Sequence, residues 1–351
     1  MIFWFGSWTF KRKQNPRMDA FSSTIEQFQQ ELKKIDTYSQ SNVHYRIYDK
    51  CNFEDPTRSE NYLMTFCDGG NFPLFLTHYY LVQLNRVFIS SWSNRKRILH
   101  ASFDFFSMTR QNGEFLSSVV WPIAQKGDFS CDVDISDHDT RVRYRELGGF
   151  DALIRASQIP RRLAERGALL KAMEKTEGYF IVDGLLQAEV NSEQRLLQAA
   201  SKLADEKGLM LAGFAKTAGL LDPGVLPSPI ISKNGEWYAR VGEIPSRESY
   251  LYVVKFHRKA MAPYAVEVSK HGKGDYQSLF SALFSDSLDP HLPGYPHGLI
   301  DVDRRARIGH HEAERFKNYF LSKLPREVSQ EIIRQERAIS THDILNAISA
   351  L

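Results

Sequence analysis

Cysteine is scarce in this chain, and its three thiols, Cys51, Cys67 and Cys131, are odd in number, widely separated and without a CxxC pair. That excludes a disulfide framework or a cysteine-based zinc site and fits a reducing, cytoplasmic setting. A strong charge imbalance is lacking as well. Lys and Arg number 45 against 42 Asp and Glu, a formal net charge of +3 with a pI near 8.6. So small an excess does not announce a general polyanion binder, yet it leaves room for a basic groove in a balanced surface. Internal repeats and low-complexity tracts are missing. No secretory signal opens the chain either: in MIFWFGSWTFKRKQNPR the apolar run precedes the basic run and no small-residue cleavage site follows. The same run is too short to span a bilayer, so no membrane partner is expected. Residues 1–18 read as a flexible leader, an interaction arm or a stretch upstream of a start at Met18, the leader and start-site readings standing first.

What is present is ordinary for a globular protein. The 351 residues are 42% apolar and 25% charged, enough to bury a large core in one domain or two. Asp19 to Asp36 places Phe21, Ile25, Phe28 and Leu32 at helical spacing, so residues 19–61 read as an amphipathic helix and connector, packing on the core or docking a partner. The domain proper is expected over 62–351.

From Tyr62 to about Ile123 the text is strand-like: YLMTFC, PLFLTHYYLVQL, RVFISSW, ILHASFDFFSM and EFLSSVVWPI, with QNG at Gln111–Gly113 as the clearest hairpin turn. Helical text follows in GGFDALIRASQ and PRRLAERGALLKAMEK, with Pro160 in a first turn. A strand then runs to Asp183, a helix spans NSEQRLLQAASKLADEK with Asn191 or Ser192 as N-cap and Gly208 at its end, and a strand covers LMLAGFAK. Three more strand candidates, EWYARVGEI, SYLYVVKFH and PYAVEVS, precede a mainly helical last hundred residues. Strands first, then alternation, then helices predict a mixed α/β (α+β) fold, a mixed sheet flanked by helices with helical N- and C-terminal extensions.

Two apolar strands run into an acid followed by glycine: FCDGG at Asp68 and FIVDG at Asp183. Asp-Gly is a common turn dipeptide, and one such stretch alone reads as a turn. Two of them suggest more. If these strands are neighbours, their carboxylates cannot both stay ionised without a cation between them. Oxygen ligands favour Mg2+ or Mn2+, and such ions activate water and stabilise the leaving oxygen of a phosphodiester. A third acid is expected from a packed helix. Glu165 is the candidate, since Leu169 and Ala172 share its face; a solvated acid among Arg161, Arg162 and Arg166 is the competing reading. His310, His311 and Glu314 in GHHEAER are a weaker zinc candidate, because adjacent histidines diverge on a helix.

The order FCDGGNF, RRLAERGALLKAMEK, FIVDGLL, LAGFAKTAGLL, PYAVEVS, GYPHGLIDVDRRARI and THDILNAI resembles the NurA family of DNA-repair nucleases from about Tyr62 to the C-terminus. The resemblance implies an RNase H-like core, a homodimer around a DNA path, and Mn2+-dependent 5′ to 3′ exonuclease and single-strand endonuclease activity. It also implies a HerA-type hexameric ATPase as partner, in DNA end processing or in defence against foreign DNA. By the same resemblance the metal-binding acids fall on Asp68, Asp183 and Glu165, with Glu146, Glu174 and Glu177 as rivals for the last. Tyr295 of Gly294-Tyr295-Pro296 falls at the active site. Lys216 falls on a lysine that faces the scissile phosphate, and Arg304, Arg305 and Arg307 could follow the DNA backbone. Two positions depart from the family pattern: Asp303 stands where a His is usual, with His297 as a spatial substitute, and Gly70 stands where Ser is usual. These departures keep two other readings open, a catalytically silent DNA-holding subunit that caps a ring ATPase, and an RNase H-like nuclease acting on RNA or RNA–DNA hybrids.

Overall fold

The computed structural model describes residues 45–48, 51–143, 151–216, 230 and 233–349, the side chains of residues 151 and 338–349 excepted. The leader, the helix expected over 19–36 and Glu146 lie outside the described residues. Among the described residues twelve strands form one mixed sheet: β1 Arg46–Ile47, β2 Phe53–Glu54, β3 Leu63–Leu76, β4 Tyr80–Ser93, β5 Lys96–Asn112, β6 Phe115–Gly127, β7 Val142–Arg143, β8 Tyr179–Asp183, β9 Met210–Ala215, β10 Trp237–Ile244, β11 Ser249–Lys255 and β12 Tyr264–Ser269. The helices are α1 Asp151–Ser157, α2 Ile159–Lys175, α3 Asn191–Lys207, α4 Tyr276–Asp286, α5 His297–Ala306, α6 His310–Lys323 and α7 Arg326–Ser349.

At the centre of the sheet the order is β5-β4-β3-β8-β9. β3, β4 and β5 are antiparallel hairpin neighbours, while β8 and β9 run parallel to β3. Three antiparallel strands followed by two parallel ones make the RNase H-like arrangement the motifs imply. β12, β11 and β10 extend it antiparallel on the far side.

Strand alternation explains how both faces of the sheet become buried. Cys67, Phe180 and Val182 point into a core shared with α1, α2 and α3, where Leu163, Ala168 and Met173 pack. Met64, Phe66, Ile181 and Phe214 point to the other face, under α4 and α5, against Phe280, Leu299 and Val302. Helix α4 starts on Asp275, whose carboxylate accepts from the backbone amides of Gln277 and Ser278 at 3.1 Å each, a cap that contributes about 1 kcal/mol.

The strand text from Tyr62 to Ile123 resolves differently from its sequence reading. Four long strands replace five pieces, and PLFLTHYYLVQL is cut in its middle by a turn at Thr77–Tyr79. The Thr77 hydroxyl builds that turn, accepting from the amides of Tyr79 and Tyr80 at 3.2 and 3.0 Å. A threonine turn carries no Gly or Pro to announce it. The break between β4 and β5 is a two-residue turn with positive φ at Asn94 and Arg95, the geometry that matches the strands' own twist. Helix α3 also begins one residue early: its N-cap is Val190 rather than Asn191 or Ser192. The Glu193 carboxylate takes up the amide of Glu189 at 2.7 Å, and the Ser192 hydroxyl donates instead to the carbonyl of Asp139. Gly208 ends the helix with φ of 68°, as expected.

Candidate functional site

Asp68 does not sit at a strand tip, as its sequence suggested, but inside the 14-residue β3. What stops there is the pairing with β8. The parallel register runs Met64 with Tyr179 through Cys67 with Val182, and the next step would join Asp68 to Asp183. Asp183 is the last residue of β8, and the chain then leaves the sheet at Gly184, whose φ of 88° is open to glycine. The turn reading of Asp-Gly therefore holds at Asp183, and it opens a slot beside β3. Parity decides which way the acids face. Asp68 follows Met64 and Phe66 by even steps, and Asp183 follows Ile181, so both project on the α5 face.

Helix α5 closes over that face by unusually close backbone contacts. A Cβ on Gly298 would run into the Phe66 ring, and a Cβ on Gly70 would run into the carbonyl of Ala306. So near an approach brings Asp303 down to the strand acids. Carboxylate oxygens of Asp68, Asp183 and Asp303 all lie within 4.8 Å of one another.

The cations and hydroxyls around this group are specific. Lys216, just past β9, sets its ammonium 3.1 Å from Asp183 Oδ2 and 3.6 Å from Asp303 Oδ1. It also lies over the Tyr295 ring, 5.1 Å from the centroid. The Tyr295 hydroxyl donates to Asp183 Oδ1 at 3.0 Å. Burial works against the Lys216 ammonium, but Asp183 and Asp303 more than offset it and hold its pKa above the usual lysine value. Burial first, then Asp183, pushes the Tyr295 phenol far above its ordinary range, so it stays a donor. Asp68 is pushed up to about 8, by burial first and then by the charges of Glu165 and Asp183, against the Gly69 amide and Arg161, which favour its ionised form.

Glu165 is buried, so the solvated reading does not hold, yet it lies outside the three-acid group. It belongs to α2, on the opposite face of the sheet, where its backbone carbonyl accepts from Cys67 Sγ at 3.6 Å. Its carboxylate reaches the edge only by passing Gly69, where a Cβ would strike Oε1. Arg161 holds it there in an ion pair and donates also to the carbonyl of Gly69 at 2.9 Å. Glu165 thus touches the site as a neighbour of Asp68, while Asp303 takes the third corner of the cluster. Glu174 and Glu177 are exposed.

The other candidates divide. His297 is not near the acids: it packs edge-on against Trp92, 5.2 Å between centroids, and pairs with Asp289 at 3.8 Å. Asp301 binds Arg97 at 3.2 Å and Arg305 at 2.9 Å. Arg307 pairs with Asp303 at 2.9 Å, and Arg304 and Arg305 are exposed on α5. At the start of α6 His310 packs on the Phe72 ring, and the neighbouring Glu312 pairs with Arg86 at 2.6 Å. The sequence reading had no signal for Arg161, because an arginine one helical turn before a glutamate looks like any surface pair. It also missed Asp286, at the end of α4, whose buried carboxylate accepts from the Gly298 amide at 2.9 Å and so anchors the start of α5.

The donor set fits a divalent cation. Three carboxylates converge, one has its pKa pushed up to about 8 by burial and then by the charges beside it, and an ammonium bridges the other two. Hard oxygen donors of this kind suit Mg2+ or Mn2+. Among the described residues no helix is long and apolar enough to cross a membrane.

No family model and no curated protein matches the sequence. Among solved structures the chain is similar to the NurA nuclease from Sulfolobus solfataricus, with 14% identity over 89% of this chain and 97% of that one, at a TM-score of 0.46. It is also similar to the Argonaute of A. aeolicus, with 12% identity over 71% of this chain and 29% of that one, at a TM-score of 0.31.

Proposed function

We propose that this chain is a divalent-metal-dependent DNA nuclease that hydrolyses phosphodiester bonds in the slot between β3, β8 and α5. The observation that carries the reading is the convergence of Asp68, Asp183 and Asp303 within 4.8 Å, where pairing between two central strands stops. These three would hold the cation, with Glu165 close behind Asp68. A bound Mn2+ or Mg2+ would supply Lewis-acid polarisation of the phosphate and a more acidic water.

The protein's own groups supply the rest. Asp68, with its pKa raised to about 8 by burial and the charges beside it, is placed to hold a proton at neutral pH that it would release on becoming a ligand. Tyr295 keeps the Asp183 carboxylate oriented through its hydroxyl. The Lys216 ammonium, already among the carboxylates, is placed to turn toward a non-bridging phosphate oxygen and offset charge developing there. Arg161 keeps Glu165 from turning away from the slot.

Manganese as the working ion, 5′ to 3′ exonuclease and single-strand endonuclease action, a homodimer and a HerA-type ATPase partner are proposed on the motif resemblance. The setting is DNA end processing or antiviral defence. Nothing in the site favours the silent-subunit reading, since Asp303 keeps the cluster acidic.

The test is a Mn2+-dependent cleavage assay on single- and double-stranded DNA, RNA and RNA–DNA hybrid, each with and without chelator. Asp183→Asn should abolish cleavage while leaving the fold and oligomeric state unchanged. Undiminished cleavage by that variant would refute the proposal. Cleavage confined to RNA or hybrid would move the substrate class, and co-purification with a hexameric ATPase would test the partner.

A further inference from the structure

The segment that joins β11 to β12, Phe256 to Pro263, rises from the same edge of the sheet as the acid cluster. β8 and β9 end there with Asp183 and Lys216, and β12, which pairs with β9, begins there. The register of Ala265 with Ala215 sets Tyr264 beside Lys216 at the next step. Two strand spacings, about 10 Å, therefore separate the base of this loop from Asp183. Tyr264 is half-buried and touches the Tyr295 ring, 5.5 Å between centroids, so the loop is in contact with the site through one aromatic pair.

The loop's composition is chemically uneven. Arg258 and Lys259 are exposed, and Met261 stands wholly in solvent. Scattered exposed apolar side chains need no explanation, but this one stands on a packed base. Ala260 and Pro263 on either side are buried, and the Ala260 amide donates to the carbonyl of His257 at 2.9 Å. The Gly294 turn, with φ of 85°, abuts His257 and Ala260 from below. A packed base therefore presents two cations and one unbranched apolar tip outward.

From the proposed cleavage site outward, the sheet edge offers an ammonium, an aromatic ring, two cations and an apolar tip, in that order. Cations alternating with a stacking surface are what a single nucleic-acid strand binds, phosphates on the charges and bases on the ring. An apolar side chain inserted at a base step is a recurrent way to unstack a duplex. We infer that the β11–β12 loop is a strand-guiding element: Arg258 and Lys259 take the phosphates of the DNA strand leading from the cleavage site, and Met261 wedges against the first base pair. The role rests on the nuclease reading for its biological purpose, but it predicts DNA contacts that do not require cleavage.

The experiment compares wild type, Met261→Ser and Arg258→Ala/Lys259→Ala in chelator, so that no cutting occurs. The probes are a fluorescent single-stranded oligonucleotide and a duplex with a single-stranded overhang that carries 2-aminopurine at the first paired position. The double variant should bind the single strand about tenfold more weakly at low salt, with a log–log salt slope shallower by about 1.4 for two lost phosphate contacts. Met261→Ser should bind the single strand within about twofold of wild type, yet lose the 2-aminopurine fluorescence rise that wild type produces on unstacking. Unchanged affinity and salt slope in the double variant would overturn the inference. So would a wild type that leaves the junction stacked. A Met261→Ser protein that changes its sedimentation behaviour would assign the loop to contact between copies of the chain instead. Failure of wild type to cut DNA when Mn2+ is added would refute the nuclease reading separately, leaving the binding results to decide the loop.

Discussion

Replacing Asp68 by asparagine should stabilise the metal-free fold, increasingly so at higher pH, and remove its response to metal. The carboxyl has a folded pKa of about 8 against 3.8 for the ordinary group. Between those values the native state holds a proton that the unfolded chain has released, so native stability falls as pH rises from about 4 to about 8. At ~1.4 kcal/mol per pH unit, the penalty accumulated between pH 6 and pH 8.5 is about 2.5 kcal/mol before screening. Solvent reaching this half-buried side chain, in a medium of effective dielectric near 20, reduces the observable part to about 1 kcal/mol. For a chain of this size that corresponds to about 1.5 °C in Tm. Asparagine keeps the shape and has no such titration. Its advantage over wild type in chelator should therefore be small at pH 6 and larger by about 1.5 °C at pH 8.5.

Metal reverses the order. Because the cation must displace the Asp68 proton, wild-type affinity for Mn2+ should rise about tenfold per pH unit below pH 8 and then level off. Thermal melts from pH 6 to 8.5, with chelator and with Mn2+, together with electron paramagnetic resonance counting of free Mn2+, measure both effects. A variant advantage that is the same at pH 6 and pH 8.5, or an Asp68→Asn protein that Mn2+ still stabilises as well as wild type, would refute the reasoning.

Four further outcomes follow from the same geometry. Glu165→Gln removes a like charge beside Asp68, so the pH at which Mn2+ binds half-maximally should move down, read by titration at pH 6, 7 and 8. Tyr295→Phe deletes the hydroxyl on Asp183 and should slow cleavage about fivefold for about 1 kcal/mol of lost orientation, with a small fall in Tm. Lys216→Met should cost about 100-fold in kcat/KM while metal affinity, measured without DNA, holds or increases. Gly70→Ser should destabilise the fold by about 1–3 kcal/mol, seen in urea melts, because its Cβ meets the Ala306 carbonyl.

Much of the scaffold was legible in the sequence, and the reasons are local. Alternation in the β5 text ASFDFF and the helical spacing in α2 and α3 are periodic signals that burial enforces. Asp68 and Asp183 stood out because the chain twice runs an apolar strand into Asp-Gly, where one such stretch alone reads as a turn. What the sequence hid depends on through-space relations. Glycines at positions 69 and 70 read as punctuation, but the strand runs straight through them, and they are glycine because Glu165 crowds one face and α5 the other. Glu165 shared its helix face with Leu169 and Ala172, which correctly put it inside. Only the parity of β3 reveals that the inside of α2 is the wrong side of the sheet for Asp68.

Gly70 and Asp303 stand on facing segments of β3 and α5. The two residues lie 233 positions apart along the chain. Gly70 lies directly under the Ala306 carbonyl, and Asp303 is one helical turn back on the same α5, its own carbonyl accepting the Arg307 amide at 3.0 Å. A serine at position 70 would lift the end of α5 away from β3. The glycine lets the helix settle closer, and the shorter aspartate then reaches the acid group from there, its charge matched by Lys216 and Arg307. On this geometry the two positions are coupled through the seating of α5. Gly70→Ser should therefore be tolerated better with a longer side chain at 303, so Asp303→His should partly restore Mn2+ binding to a Gly70→Ser protein, while impairing it in the wild-type background. Additive losses in the double variant, measured in the same Mn2+ titration, would mean that the two positions act independently.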